Sequence, residues 1–221
     1  LGKEEYGIDI MFLERIADAL KDVHKKRVEV AIVVGGGNIW RGSTGVSLGM
    51  EQSTADYIGM LATVMNALAL QTVLEKKNIP TRVQTAIAMH EVAEPYILRR
   101  AIRHLEKGRI VIFAAGTGNP FFSTDTTAAL RGAEIKAEVI LKASRIDGIY
   151  SDDPAKNKEA ISYKEINYTE MLAKNLRIMD ATAVSLCRES KIPIIVFSIT
   201  DPTNIIKIIA GQEIGTFVKG G

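Results

Sequence analysis

Apolar positions along this chain change period several times, and each change marks an element. After Asp9, the residues Ile10, Leu13, Ile16, Ala17, Leu20 and Val23 recur with a 3.6-residue period. That pattern predicts an amphipathic helix capped by the Asp9 carboxylate. Val28 to Val34 (VEVAIVV) then runs almost unbroken into three glycines, as expected of a strand buried on both faces of a parallel sheet. Ser53 to Lys77 predicts a long helix with mixed apolar faces, stopped by Pro80.

The same reading continues through the chain. Thr81 to Ala88 predicts a strand and its connection, and Glu94-Pro95 the start of a helix running to about Lys107. Arg109 to Ala114 and Glu138 to Ala143 predict two more core strands, separated by a Gly- and Pro-rich loop and a helix from Asp125 to Ile135. Asp147 to Pro154 is turn-rich. Helices at Thr169 to Asn175 and Thr182 to Lys191, a strand at Pro193 to Ile199, a helix at Pro202 to Ala210 and a short strand at Thr216 to Val218 complete the series. This βαβα order predicts an α/β fold with a mainly parallel sheet and helices on both faces. No repeat or linker interrupts it, so residues 1–221 are expected to form one domain.

Composition narrows the function. The 221 residues are 47% hydrophobic and 24% charged, with a net charge of +2 and no long basic run. Neither disorder nor a nucleic-acid partner is expected from those values. One cysteine, Cys187, excludes a disulfide framework within the chain and is expected to be buried and inert. No membrane span or signal segment is read, and a cytoplasmic setting fits.

Three segments at predicted strand ends could carry chemistry, where ligands bind in open α/β sheets. In Gly35-Gly36-Gly37-Asn38-Ile39-Trp40-Arg41-Gly42, adjacent glycines can present N–H groups to an anion and Arg41 can clamp a phosphate. The spacing is neither a dinucleotide fingerprint nor a P-loop, and a plain tight turn is the alternative. In Gly116 to Asp125 (GTGNPFFSTD), Thr117, Asn119 and Thr124 offer hydrogen bonds, while Phe121 and Phe122 offer flat faces to a planar ring. Asp125 and Thr126 sit at a helix start, where free N–H groups favour phosphate. Alternatively the two Phe plug the sheet as core. In Lys142 to Pro154 (KASRIDGIYSDDP), Lys142 could meet a phosphate and Tyr150 with the carboxylates could border a nucleoside; a solvated turn is the plainer reading. Asp56 is by default an exposed helix carboxylate. His90-Glu91 does not complete a zinc-protease motif.

The stretches GGGNIWRG, MLATVMNALAL, TGNPFFSTDTTAALR, LKASRIDGIYSDDPAK and IPIIVFSI together resemble the bacterial uridylate (UMP) kinases of the amino acid kinase superfamily, over essentially the whole chain. The resemblance implies a three-layer α/β/α sandwich and the reaction ATP + UMP → ADP + UDP with Mg²⁺. By position it implies that Gly36, Asp56 and the run Thr117, Gly118, Asn119, Pro120, Phe121, Phe122, Ser123 and Thr124 hold UMP. Gly37, Arg41, Ser144, Tyr150 and Asp153 fall on the ATP side, and Arg41, Asp125 and Lys142 near the transferring phosphoryl. It further implies a homohexamer activated by GTP and inhibited by UTP, with Gly2, Lys3, Glu4, Glu5, Tyr6 and Gly7 in the GTP-responsive region.

Two departures from the pattern stand out. Ser144 replaces a common Thr but keeps its hydroxyl. The family's opening strand and K-x-S-G-E-type loop are not in the given chain, which begins at Leu1. Two other readings share the fold: a nucleotide sensor or storage protein without turnover, and a kinase acting on a carboxylate such as aspartate or glutamate. TGNPFFSTD speaks against the second of these.

Overall fold

A computed structural model describes residues 7–176 and 178–220. They pack as two compact units that meet between Thr127 and Ala128 along the chain.

In the first unit, α1 (Ile10–Lys25) starts where expected, with Asp9 Oδ1 accepting from Phe12 N at 2.9 Å. Its buried stripe, Leu13, Ile16, Ala17, Leu20 and Val23, follows the helical period. The sheet has the order β1-β4-β2-β3, all parallel, built from β1 (Ala31–Val33), β2 (Thr81–Thr85), β3 (Glu94–Pro95) and β4 (Ile110–Ala114). Every residue of β4 is buried. Its side chains alternate between the two faces. Ile110, Ile112 and Ala114 join the core made with α1 and with α3 (Gln52–Lys76). Phe113 points to the other face, where Tyr96 meets it edge-on at 5.5 Å and where α4 (Leu98–Glu106) buries Ala101 and Leu105. Helices therefore cover both faces of this sheet.

Three expectations change. Glu94-Pro95 does not open a helix: it pairs in register with Gln84 and Thr85 of β2, and α4 starts at Leu98. A proline tolerates this because the strand is an edge. The Val28 to Val34 run yields only three strand residues, all half-buried, because β1 is also an edge strand. A short helix, α2 (Gly42–Ser47), forms in GSTGVS, where no apolar period announces it. It forms because Gly45 lets the helix sit against Trp40 and Ala55; a Cβ there would lie 2.7 Å from Trp40 Cζ2.

α3 is long and apolar enough to cross a membrane by length and composition, with half of its apolar window buried inside the protein. Its buried positions, Met60, Val64, Ala67, Leu70, Val73 and Leu74, form the centre of the first core.

The second unit holds the sheet β5-β9-β10-β8: β5 (Ile140–Ser144), β8 (Glu165–Asn167), β9 (Ile194–Ser198) and β10 (Thr216–Lys219). β5 with β9 and β8 with β10 are parallel, and only β9 with β10 runs antiparallel. β5 was expected to be core but is a half-buried edge. β6 (Ile149–Tyr150), inside the turn-rich segment, pairs antiparallel with β7 (Ser162–Tyr163) to form a ribbon. α5 (Thr124–Glu134) crosses the boundary between the units, and its Ala129 joins the second core. That core also includes Tyr168 and Met171 of α6 (Tyr168–Ala173), Val184 and Cys187 of α7 (Ala181–Glu189), and Val196 and Val218. Cys187 is buried, as expected. A last helix, α8 (Asn204–Ile209), precedes β10.

Candidate functional site

The first unit gathers the glycine loop, Asp56 and the TGNPFFST loop at the carboxyl ends of β1 and β4. Gly36 is buried against α3. A Cβ on it would lie 2.6 Å from Gly59 O and 2.9 Å from Ala62 Cβ, so only glycine lets the loop approach the helix this closely. Gly37 is exposed, and the exposed Arg41 folds back so that its Nε donates to Gly37 O at 3.2 Å. Gly35 lies beside the first turn of α5; a Cβ on Gly35 would be 3.4 Å from Thr124 Oγ1.

The loop after β4 is conformationally unusual. Ala115, Gly116, Gly118 and Phe121 all have positive φ, that of Phe121 being 70°. For a bulky side chain this backbone region is unfavourable. The surrounding structure holds it there: Phe121 N donates to Asp56 Oδ2 at 2.9 Å, while Asp56 Oδ1 accepts from Gln52 Nε2 at 2.7 Å. Asp56 is thus half-buried and engaged on both oxygens rather than a bare surface carboxylate. The two aromatic rings stand in solvent, Phe121 75% and Phe122 53% exposed, so they do not plug the core. Strained backbone presenting bare rings is characteristic of binding loops. Thr117 Oγ1 is paired with the Asn119 backbone, accepting from its N–H at 3.2 Å. Asn119 is exposed and Pro120 half-buried. Ser123 caps α5: its Oγ accepts from Thr126 N at 3.0 Å. Asp125 occupies the first turn of that helix, half-buried.

The second unit carries the remaining residues. Lys142 and Ser144 lie on β5, both half-buried, and Ser144 Oγ accepts from Ile146 N at 3.3 Å. Tyr150 OH donates to Asp147 Oδ1 at 2.7 Å. That bond, then burial and the Asp147 charge, holds the phenol above its ordinary value. Asp153 Oδ1 accepts from Ala155 N at 3.0 Å and Oδ2 lies 3.5 Å from Lys156 Nζ, so it also organises its own turn. The ribbon is fastened by Thr216: its hydroxyl accepts from Ile149 N at 2.8 Å and donates to Tyr163 O. Gly2, Lys3, Glu4, Glu5 and Tyr6 lie outside the described residues; Gly7 is described and pairs with Asn38.

Four polar residues that carry this architecture were not singled out from the sequence: Asn38, Gln52, Thr63 and Asn66. Thr63 Oγ1 accepts from Ala115 N at 2.8 Å and donates to Met60 O, fastening the loop after β4 to α3. Asn66 donates to Gly35 O and to Asn38 Oδ1, both at 2.7 Å. The available signal was two polar residues inside the apolar run MLATVMNALAL, where a buried side chain needs a partner.

A profile of the amino acid kinase family matches residues 2–198. This chain belongs to the amino acid kinase family. Among solved members, the UMP kinase of Bacillus anthracis is 38% identical, with a TM-score of 0.95 over 98% of this chain and 90% of that one. The UMP kinase of Ureaplasma parvum is 37% identical, with a TM-score of 0.93 over 99% of this chain and 93% of that one. The uridylate kinase of Archaeoglobus fulgidus is more distant, 28% identical with a TM-score of 0.76 over 95% of this chain and 93% of that one. The α/β architecture expected from the pattern of strands and helices is therefore that of an amino acid kinase.

Proposed function

We propose that this kinase transfers the γ-phosphoryl group of ATP to UMP, giving UDP for pyrimidine nucleotide synthesis. The carrying observation is the loop held by Asp56: a strained, exposed Phe121-Phe122 pair beside a glycine loop and a helix start. Together these offer a stacking surface for a planar base, a carboxylate for a ribose hydroxyl, and N–H groups for one phosphate. The two bacterial UMP kinases that match nearly the whole chain support the same reading.

The chemistry needs no general base. The second pKa of a phosphate monoester is near ~6, so UMP already presents an oxyanion at pH 7. The difficulty is bringing two anions together. Arg41 and the glycine N–H groups supply positive charge to the transferring phosphoryl, and the resemblance to UMP kinases assigns Lys142 the same duty. Asp125 repels phosphate, so its role is to orient a cation or a water.

Mg²⁺ fits this set. It is usually held by substrate phosphates and one or two carboxylates rather than by an all-protein cage. The described residues contain no cluster of three metal-ligating side chains, and Asp125 offers a single carboxylate at a phosphate-favouring helix start. When bound with ATP, the ion neutralises charge on the phosphates.

The same reading includes a soluble cytoplasmic homohexamer activated by GTP and inhibited by UTP, with the segment ending at Gly7 in the GTP response. Light scattering with and without GTP tests the assembly. An ADP-release assay with UMP, CMP, aspartate and glutamate tests the reaction. UMP is expected to give the highest kcat/KM. Equal turnover of CMP rejects selection for the uracil base, and preference for an amino acid rejects the reading.

A further inference from the structure

We propose that Asn66 and Asn38 are positioning residues for the acceptor phosphate: a buried amide pair that aims the Gly36 N–H before ligand arrives. This deepens the function proposed above and rests on it. Asn66 sits in the middle of apolar α3 and is only 1% exposed. Its amide donates to Gly35 O at 2.7 Å and to Asn38 Oδ1 at 2.7 Å, and its Oδ1 accepts from Asn38 Nδ2 at 3.0 Å. Asn38 in turn exchanges two bonds with Gly7: Nδ2 donates to Gly7 O at 2.7 Å and Asn38 O accepts from Gly7 N at 2.8 Å. Both amide donors of Asn66 are therefore committed, and its carbonyl is partnered, in a place where an apolar side chain would fill the core at lower desolvation cost.

What the pair fixes follows from covalent geometry. A trans peptide is planar, with its C=O and the following N–H pointing in opposite directions. Gly35 O faces Asn66 on α3, so the Gly36 N–H is turned to the side away from that amide. The next peptide is fixed in the same way, because Gly36 O accepts from Ile39 N and Trp40 N, both at 2.9 Å. Gly36 lies so close to the helix that an added Cβ would be 2.6 Å from Gly59 O, so the loop cannot press further toward α3. A donor aimed in advance loses nothing to reorganisation when charge arrives. Truncating either asparagine lets the Gly35–Gly36 peptide rotate and spoils recognition of the phosphate, not of the nucleoside.

The test is calorimetric titration of the full chain with UMP and with uridine, for the wild type, Asn66→Ala, Asn66→Leu and Asn38→Ala. Asn66→Leu fills about the same space without charge and lacks both donors, so it separates hydrogen bonding from cavity formation. Each variant is expected to bind UMP about tenfold more weakly, the loss typical of one charge-assisted hydrogen bond, with uridine affinity within about twofold of wild type. Equal weakening of both ligands, or an unchanged preference for UMP over uridine, overturns the inference. Where the core variants do not fold, Asn38→Ala, on the half-buried loop, carries the test alone. A wild-type protein that shows no preference for UMP over uridine and no turnover overturns the proposed function instead.

Discussion

The backbone N–H of Phe121 donates to Asp56 Oδ2 at 2.9 Å and holds Phe121 at a φ of 70°. A carboxylate on α3 thereby sets the conformation of a loop 65 residues further along. Asp56 shapes the loop in this arrangement, and in the proposed function it also offers an acceptor to a ribose hydroxyl.

Asp56→Ala removes both. We expect the KM for UMP to rise tenfold or more, about the value of a lost charged hydrogen bond, with the melting temperature nearly unchanged. Steady-state kinetics and thermal melting check this together. A large fall in melting temperature with an unaltered KM contradicts it.

Gly36→Ala should behave in the opposite way, as a stability defect first. The new Cβ would meet a backbone oxygen, Gly59 O, at 2.6 Å, and a backbone atom cannot step aside cheaply. Overpacking of this kind costs about 1–3 kcal/mol, or roughly 2–12 °C in a chain of this size. Calorimetry of the variant without nucleotide measures it.

Arg41 is exposed, and the bond from its Nε to Gly37 O shapes little beyond its own loop. Arg41→Ala should lower kcat by ~10²-fold or more if its charge acts mainly in the transition state, with melting unchanged. Arg41→Lys should restore little of this, because an ammonium cannot reproduce the planar fork. A change confined to KM contradicts the role.

Glu94 supplies a pH dependence away from the candidate site. Burial raises its carboxyl. The hydrogen bonds from His104 at 2.9 Å and Gln84 at 3.3 Å, with the nearby charges of His104 and Arg100, outweigh that and leave it below the ordinary range. A lowered carboxyl contributes stability that is present above the unfolded-state value, about 4.3, and is lost as pH falls through the folded value. Melting temperature should therefore be insensitive to Glu94 from pH 7 to about 5 and decline below that. Glu94→Gln should flatten the decline, as melting curves across pH 3–7 will show.

Legibility in the sequence followed how local each cause is. α1 was readable because its cap and its apolar stripe lie within one stretch of chain. β4 was readable because a strand covered on both faces must be apolar throughout. β1 and β5 have similar composition but lie at sheet edges, a fact decided by topology rather than by their own residues. α2 has no apolar period, because it is held by Trp40 and Ala55 from outside itself. At the candidate site, the glycines and the Phe pair announced themselves as unusual, yet nothing local fixed whether the rings were buried. Asn66 and Thr63 were harder still: only the fold shows that their partners are Gly35, Asn38 and Ala115, far away in the chain.

One rod, α3, carries Asp56, Gly59, Thr63 and Asn66 along successive turns, and its remaining buried side chains are the middle of the core. The proposed mononucleotide site is thus fastened to the same helix on which the core depends. Heat should abolish activity and cooperative packing in the same narrow interval, and sequence changes that stiffen the helix's interior should extend working temperature without slowing the enzyme.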